Sequence, residues 1–271
     1  MVVEGIRIAN RGIFSETALA TADAVVLEPR LLPLLKRQIV IDRIVVRSPR
    51  ALLVVAEDGT SNFGDFVPER SEAGAGAGIG VAGLSLDIKR VELVDGRVGY
   101  RDAMRARSVQ LDGVNLRTDL DASGAGSIGT EGTASAEQMI IRLPEAPRNT
   151  IETGEASVEW SGRVAGDLDS FELDQGMLAA GPFQANLSGQ VRSLGTPVRI
   201  LDLALYAEGL ALADLVNELD SGMRPAGSVE LDLRLQGEAG PDRSPAISGL
   251  VTLRDGTVST ADDILVASDL D

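Results

Sequence analysis

Acidic side chains offer the clearest possibility of chemistry in this sequence. One cluster is Glu57-Asp58 within "AEDGTSNFGD", and a second is "AGDLDSFELD" at residues 165–174. Carboxylates at suitable spacing bind calcium, and a pair of them can cleave a glycosidic bond. Neither cluster places oxygen ligands at the spacing of an EF-hand loop. Sugar sites also favour aromatic platforms, and the chain has one Trp and two Tyr. We therefore expect neither a metal site nor an enzyme.

Composition excludes several other kinds of site. The 271 residues include no Cys and no His, which removes thiol nucleophiles, disulfides, Cys/His zinc sites and Ser-His-Asp triads. The glycine-rich run "GAGAGIG" lacks the Lys and the Ser or Thr of a phosphate-binding loop, so no cofactor is expected. A net charge of −16 opposes binding to a nucleic-acid backbone. Binding modules and structural proteins remain as candidate classes.

Alternation of apolar and polar residues dominates the chain and predicts a mainly β, antiparallel fold. Asp-Gly recurs between strand-like runs in "LVDGRV" and "LRDGTV", and because Asp-Gly suits tight hairpins, we expect a meander extended hairpin by hairpin. A bulge is expected at Asp42-Arg43. Leucines at helical spacing predict two short helices, near residues 30–37 and 211–220.

The small-residue run at residues 69–83 is interpreted as a flexible linker. It divides an N-terminal strand–helix–strand segment, residues 1–68, from an extended sheet body, residues 84–271, that continues the same sheet. No apolar run approaches the roughly 20 residues of a transmembrane helix. Both ends read as cut from a longer protein.

Two short helices cannot cover a sheet of this size. Its apolar face must therefore meet a second sheet, curl onto itself, or contact an apolar ligand. The first arrangement is a β-sandwich, and the last is a hydrophobic groove. Alternation alone gives the following candidates for the groove lining, some of which could equally be ordinary core: Leu53, Val55, Leu86, Ile88, Val109, Leu111, Leu116, Val158, Trp160, Leu203, Leu205, Leu231, Leu233 and Val251.

Several motifs occur in an order that resembles the AsmA-like proteins of Gram-negative envelopes. They are a Leu-rich helix at Leu31–Leu35, a long strand at residues 39–49 ending in Pro49, and Asp58-Gly59 followed by Asn62-Phe63. Phe63 stands where the family usually has Trp. The blocks at residues 86–116, 188–219 and 226–240 are similar to later blocks of the family. The resemblance therefore covers most of the chain.

This resemblance implies an elongated, strongly curved sheet, folded like a taco around a hydrophobic groove. It also implies a periplasmic body anchored in the inner membrane by a segment absent from this chain. Phospholipid, or another lipid with acyl chains, would be carried in the groove between inner and outer membranes, with inner- or outer-membrane proteins as possible partners. The alternative is a structural β-sandwich that serves as an envelope scaffold or assembly domain without lipid cargo.

Overall fold

One mixed β-sheet accounts for the described part of the chain. The computed structural model describes residues 1–63, 85–122, 126–144, 150–196, 198–213, 224–240, 243–259 and 264–266. In these residues 17 strands join a single sheet, which confirms the mainly β class. The strands are β1 Val2–Ala9, β2 Ala18–Arg30, β3 Gln38–Arg47, β4 Arg50–Val55, β5 Ser85–Ile88, β6 Arg90–Asp102, β7 Arg107–Asp121, β8 Ser127–Ala136, β9 Gln138–Arg142, β10 Thr150–Thr153, β11 Ala156–Ala165, β12 Ser170–Ala180, β13 Phe183–Arg192, β14 Arg199–Ala211, β15 Arg224–Ala239, β16 Ala246–Ser259 and β17 Ile264–Val266.

The strands cross the sheet in chain order. We call a row one position across the sheet, filled by one strand or by two strands end to end. Each row pairs with the next, from β1 at one edge to β17 at the other edge of the described sheet. Four rows hold two strands end to end: β3 with β4, β5 with β6, β8 with β9, and β10 with β11. The 17 strands therefore make 13 rows.

One pairing contradicts the expectation of an antiparallel sheet. The row of β3 and β4 runs parallel to the row of β5 and β6, with Gln38 opposite Ser85 and Val55 opposite Asp102. Parallel neighbours cannot be joined by a hairpin and need a crossover of a dozen residues or more. Residues 56–84 provide that length. Periodicity could not indicate the crossover, because the alternation within each strand is the same in both arrangements.

Helices are few and short. The Leu-rich segment near residues 30–37 contains one turn of 3-10 helix, Leu32–Lys36, with Pro33 near its start. It ends at Arg37, whose left-handed backbone (φ 59°) lets its N–H donate to the carbonyls of Pro33 and Leu34. A further 3-10 helix, Gly12–Phe14, joins β1 to β2. Of the helix expected near 211–220, residues 212 and 213 are helical and 214–220 lie outside the described residues, as does the linker expected at 69–83.

The Asp-Gly pairs expected in hairpin turns lie inside strands instead. Asp95-Gly96 is in β6 and Asp255-Gly256 is in β16, and the two aspartates have left-handed φ values of 54° and 52°. The register slips at both places, so they are β-bulges. Asp tolerates this conformation more readily than most residues. The motif correctly indicated positive φ, but bulges use that conformation as well as turns.

Irregular positions align across neighbouring strands in two lines, which we call creases. The first crease crosses β1 to β7 at residues with left-handed backbone: Gly5, Ser48, Asp95 and Gly113. The second crosses β14 to β16 at Gly209, Gly227 and Asp255. A bulge increases local twist and bends its strand. Register slips mark bulges at Asp95 and Gly113 in the first crease, and in β14 and between β15 and β16 in the second. We therefore expect the sheet to bend along these lines. A separate single bulge is present at Asp42 in β3, as expected from the sequence.

Candidate functional site

The strand register separates two chemically different faces. Residues directly opposite each other in a sheet project from the same face. Trp160 in β11 lies opposite Gly176 in β12, and this line of pairs continues through Leu187, Leu205 and Leu233. We call the face that carries these side chains the apolar face. The opposite face of the same strands is the polar face.

All fourteen residues predicted to line a groove fall on the apolar face. They are Leu53, Val55, Leu86, Ile88, Val109, Leu111, Leu116, Val158, Trp160, Leu203, Leu205, Leu231, Leu233 and Val251. Leu111 and Leu116 are an odd number of positions apart, so a regular strand would point them to opposite faces. The extra residue at the Gly113 bulge restores them to one face. What these side chains bind stays a prediction.

Ion pairs between neighbouring strands lie on the polar face. Arg43 contacts Glu28 at 2.6 Å, and Arg254 contacts Glu230 at 2.9 Å. Asp202 accepts hydrogen bonds from Gln236 at 3.0 Å and from Arg234 at 3.1 Å, and these bonds lower the pKa of its carboxyl group. These charged residues of the polar face therefore find partners within the sheet.

The apolar face is only partly covered. None of the large side chains in the described residues is completely buried. Ile247 and Val251, both on this face, are 72% and 55% exposed. A sandwich would bury such side chains between two sheets. Because the described strands all belong to one sheet, the two-sheet alternative does not fit this part of the chain.

The buried residues of the apolar face gather at the creases. Ala207, Leu210 and Val229 pack together beside the second crease, with Ala185 in the next strand. Ala22, Gly96 and Ala136 are buried near the first crease. Most of these residues are small. Between the creases, the larger aliphatic side chains keep part of their surface accessible.

Trp160 occupies space on the apolar face that a glycine in the neighbouring strand leaves open. A Cβ atom added at Gly132, the residue opposite Trp160 in β8, would lie 2.5 Å from the indole ring and 2.5 Å from the carbonyl oxygen of Arg117. The indole Nε1 donates to Thr130 Oγ1 at 3.3 Å, which keeps the ring flat against the strands. The lone Trp thus lies on the apolar face, and its place in the lining of a groove stays a prediction.

A concave region of the polar face was missed by the sequence reasoning. A cavity of about 910 Å³ extends from β7 to β13, and its lining includes Arg117, Glu131, Glu159, Asp174 and Asn186. These side chains alternate with apolar-face residues, so in sequence they look like any solvated strand face. Asp174 is already paired with Arg163 at 2.9 Å. The cavity contains no recognisable catalytic constellation.

The acidic loop after β4 is held by its own hydrogen bonds. Asp58 accepts from the Thr60 hydroxyl at 2.7 Å and from the Thr60 N–H at 2.9 Å, and these bonds lower the pKa of its carboxyl group. Asn62 is buried and completes the edge of β4: its Oδ1 accepts from Val54 N–H, and its Nδ2 donates to Leu52 C=O, both at 2.8 Å. The Asp-Gly-x-x-Asn motif is therefore a turn that ends in a strand cap.

The order of these elements agrees with a known family. The family model described as AsmA matches residues 1–238. The chain belongs to the AsmA family. No curated protein and no solved structure matches it. In the described residues of this AsmA-family chain, no group of three or more acidic side chains is placed to hold a metal ion, and no helix is long and apolar enough to cross a membrane.

Proposed function

We propose that this chain is a lipid-binding conduit module of the bacterial periplasm. Its apolar face would shield the acyl chains of phospholipid, or of a similar lipid, while head groups remain in water at the open seam. The module would carry lipid between the inner and outer membranes and so contribute to outer-membrane homeostasis. The observation that carries this proposal is one largely aliphatic face, spread over the twelve rows from β1 to β16, that no second sheet of the described residues covers.

The direction of bending supports a groove on the apolar face. Side chains on the inner side of a bend are brought closer together and become more buried than those on the outer side. Ala136 at the first crease and Ala207 and Leu210 at the second are buried on the apolar face, whereas Val45, three residues before Ser48, is buried on the polar face. Membership of the AsmA family supports the same taco-like shape.

The dimensions suit lipid chains. Thirteen rows at a spacing of about 4.8 Å extend over roughly 58 Å, nearly twice the hydrocarbon thickness of a bilayer. Burying each methylene group is worth about 0.8 kcal/mol, so an aliphatic wall without specific contacts is sufficient to retain an acyl chain. Such a wall has no intrinsic direction. Movement toward either membrane would depend on partner proteins or on supply and removal of lipid at the ends.

Two neighbouring residues in β16 provide a matched test. Val251 lies on the apolar face and Leu250 on the polar face, and their exposures are 55% and 56%. A photo-crosslinking amino acid at position 251, or at Leu233, should capture phospholipid in cells, and one at position 250 should not. Val251→Asp should reduce the phospholipid that co-purifies with the protein, whereas Leu250→Asp should leave it unchanged.

The alternative of an envelope scaffold without lipid makes a different prediction. A scaffold would purify without stoichiometric phospholipid, and crosslinking would be equally weak at positions 250 and 251. Capture of protein instead of lipid at position 251 would also contradict the conduit, because it would show that a partner chain covers this face.

A further inference from the structure

The turn between β2 and β3 carries the most exposed aliphatic cluster of the described residues. Leu31, Leu32, Leu34 and Leu35 are 72%, 80%, 47% and 86% exposed. We call these residues, with Pro33, the leucine tip. Single exposed apolar residues are normal on protein surfaces, whereas contiguous exposed clusters mark interaction sites. Neither the apolar face nor the ion pairs of the polar face account for the leucine tip.

The shape of the leucine tip is fixed. Pro33 restricts the backbone near the start of the 3-10 helix, and Arg37 ends it in a left-handed conformation with N–H bonds to two carbonyls of the turn. The main contact of this helix within the sheet is with β3. The leucines therefore project beyond the ends of the strands in a preorganised turn, instead of folding back onto the apolar face.

Positive charge accompanies the leucines although the whole chain is strongly acidic. Lys36 is one of only two lysines, and Arg37 follows it, in a protein of net charge −16. Arg30 is paired with Asp42. Lys36 and Arg37 form no ion pair with other described residues. Two cations without an ion pair among the described residues lie beside four exposed leucines. This combination complements a surface that is negatively charged outside and apolar within.

We propose that the leucine tip docks into the surface of an anionic lipid bilayer. A convex apolar turn needs a partner that can deform around it, and a bilayer does so without a preformed pocket. Leucines would enter the upper acyl region while Lys36 and Arg37 remain at the phosphate level. The tip lies between the second and third rows, so docking would hold the β1 end of the sheet at a membrane. The inference does not require that the apolar face carries lipid.

The absence of cysteine from the native chain makes the test specific. Leu35→Cys and Ile13→Cys are labelled separately with an environment-sensitive fluorophore. Ile13 is a matched control because it is 72% exposed in the other 3-10 helix, at the opposite ends of the strands. With vesicles of phosphatidylcholine and phosphatidylglycerol, the label at position 35 should shift to the blue and brighten several-fold, and the label at position 13 should not change.

Flotation with the same vesicles gives a second measurement. Changing all four leucines to Ser should abolish flotation, because each Leu withdrawn costs about tenfold in partitioning. Lys36→Gln with Arg37→Gln should weaken binding about fivefold for each charge on anionic vesicles. That double variant should have little effect on vesicles of phosphatidylcholine alone. Circular dichroism checks that these surface variants keep the sheet.

Three results would overturn the proposal. One is an equal response of the labels at positions 13 and 35, which would indicate non-specific adsorption. Another is no response at position 35. The third is a blue shift at position 35 without vesicles that increases with protein concentration, which would mean that a second copy covers the leucine tip. Loss of lipid crosslinking at position 251 together with intact vesicle docking would contradict the conduit and leave this proposal standing.

Discussion

The two faces of the sheet are built from the same strands but satisfy their side chains differently. On the polar face, Arg234 and Asp202, like Arg254 and Glu230, find partners one strand away. On the apolar face, close packing is concentrated at the creases, and residues such as Val251 remain half exposed. Many charges of the polar face are paired within a single sheet. The apolar face keeps aliphatic surface accessible in the area between the creases.

The largest effect should come from a charge at a crease on the apolar face. Leu210 is 4% exposed beside the second crease, whereas Leu250 on the polar face is 56% exposed. Leu210→Asp should lower the free energy of unfolding by about 3–5 kcal/mol, because a carboxylate without a partner replaces packed methyl groups. Leu250→Asp should change it by less than about 0.5 kcal/mol. Urea denaturation followed by circular dichroism measures both. Equal losses would mean that the faces do not differ in burial.

A second prediction extends the comparison from faces to strand edges. Asn62 is 8% exposed and satisfies two backbone groups of β4, whereas the exposed Asn115 bonds the Asp95 N–H and the Gly113 carbonyl. Asn62→Ala should cost about 2–3 kcal/mol, because it leaves a partly buried N–H of Val54 and a partly buried carbonyl of Leu52 unpaired. Asn115→Ala should cost about 1 kcal/mol or less, since water replaces the amide. Urea denaturation measures the free energy of unfolding of both variants. A loss of less than about 1 kcal/mol for Asn62→Ala would refute the role of Asn62 as a strand cap.

The third prediction concerns space on the apolar face. Gly132→Ala places a methyl group against Trp160 and the carbonyl of Arg117, so it should cost about 1–3 kcal/mol and alter the fluorescence of the single Trp. At Gly154 nothing lies within 4 Å of an added Cβ. Gly154→Ala should therefore be neutral, or stabilise by up to about 1 kcal/mol. Unchanged Trp fluorescence in Gly132→Ala would show that the indole does not lie on that strand.

Alternation predicted which residues share a face better than it predicted how strands connect. The apolar-face assignment of Val109, Leu205 and Leu231 follows from a local property, the period of two along each strand. The parallel pairing of β4 with β6 depends on residues 56–84, far apart in sequence from the contact they allow. Periodicity is identical in parallel and antiparallel neighbours, so no pattern within a strand could have indicated it.

The misinterpreted Asp-Gly pairs have a different cause. Asp95-Gly96 carries the local signal for positive φ, and the structure has that conformation. A hairpin would reverse the chain there, but Val98 and Tyr100 continue the same strand toward β4 and β7. The need for positive φ at Asp95 becomes clear only from its alignment with irregular positions in the neighbouring strands. Such alignment is a property of the sheet and has no trace in the sequence of one strand.

The smallest expected effect concerns the pKa values of the two tyrosines, one on each face. Tyr206 on the polar face donates to Glu208 at 2.8 Å, and this bond, with partial burial and the nearby charge of Glu230, raises the pKa of its phenol to about 12. Tyr100 lies on the apolar face, where burial raises the pKa of its phenol. A raised pKa means that the protonated phenol favours the folded state. For Tyr206 this contribution is complete below pH 10 and is lost as the pH rises through about 12.

Absorbance titration of Tyr100→Phe and Tyr206→Phe isolates each phenol. Glu208→Gln should move the pKa of Tyr206 back toward 10 and leave that of Tyr100 unchanged. Added phospholipid should do the reverse, because acyl chains on the apolar face would bury Tyr100 further and raise its pKa, while Tyr206 stays in water. A lipid-induced shift at Tyr206 alone would place the lipid on the wrong face. That outcome would reverse the assignment on which the conduit depends, even if phospholipid co-purified with the protein.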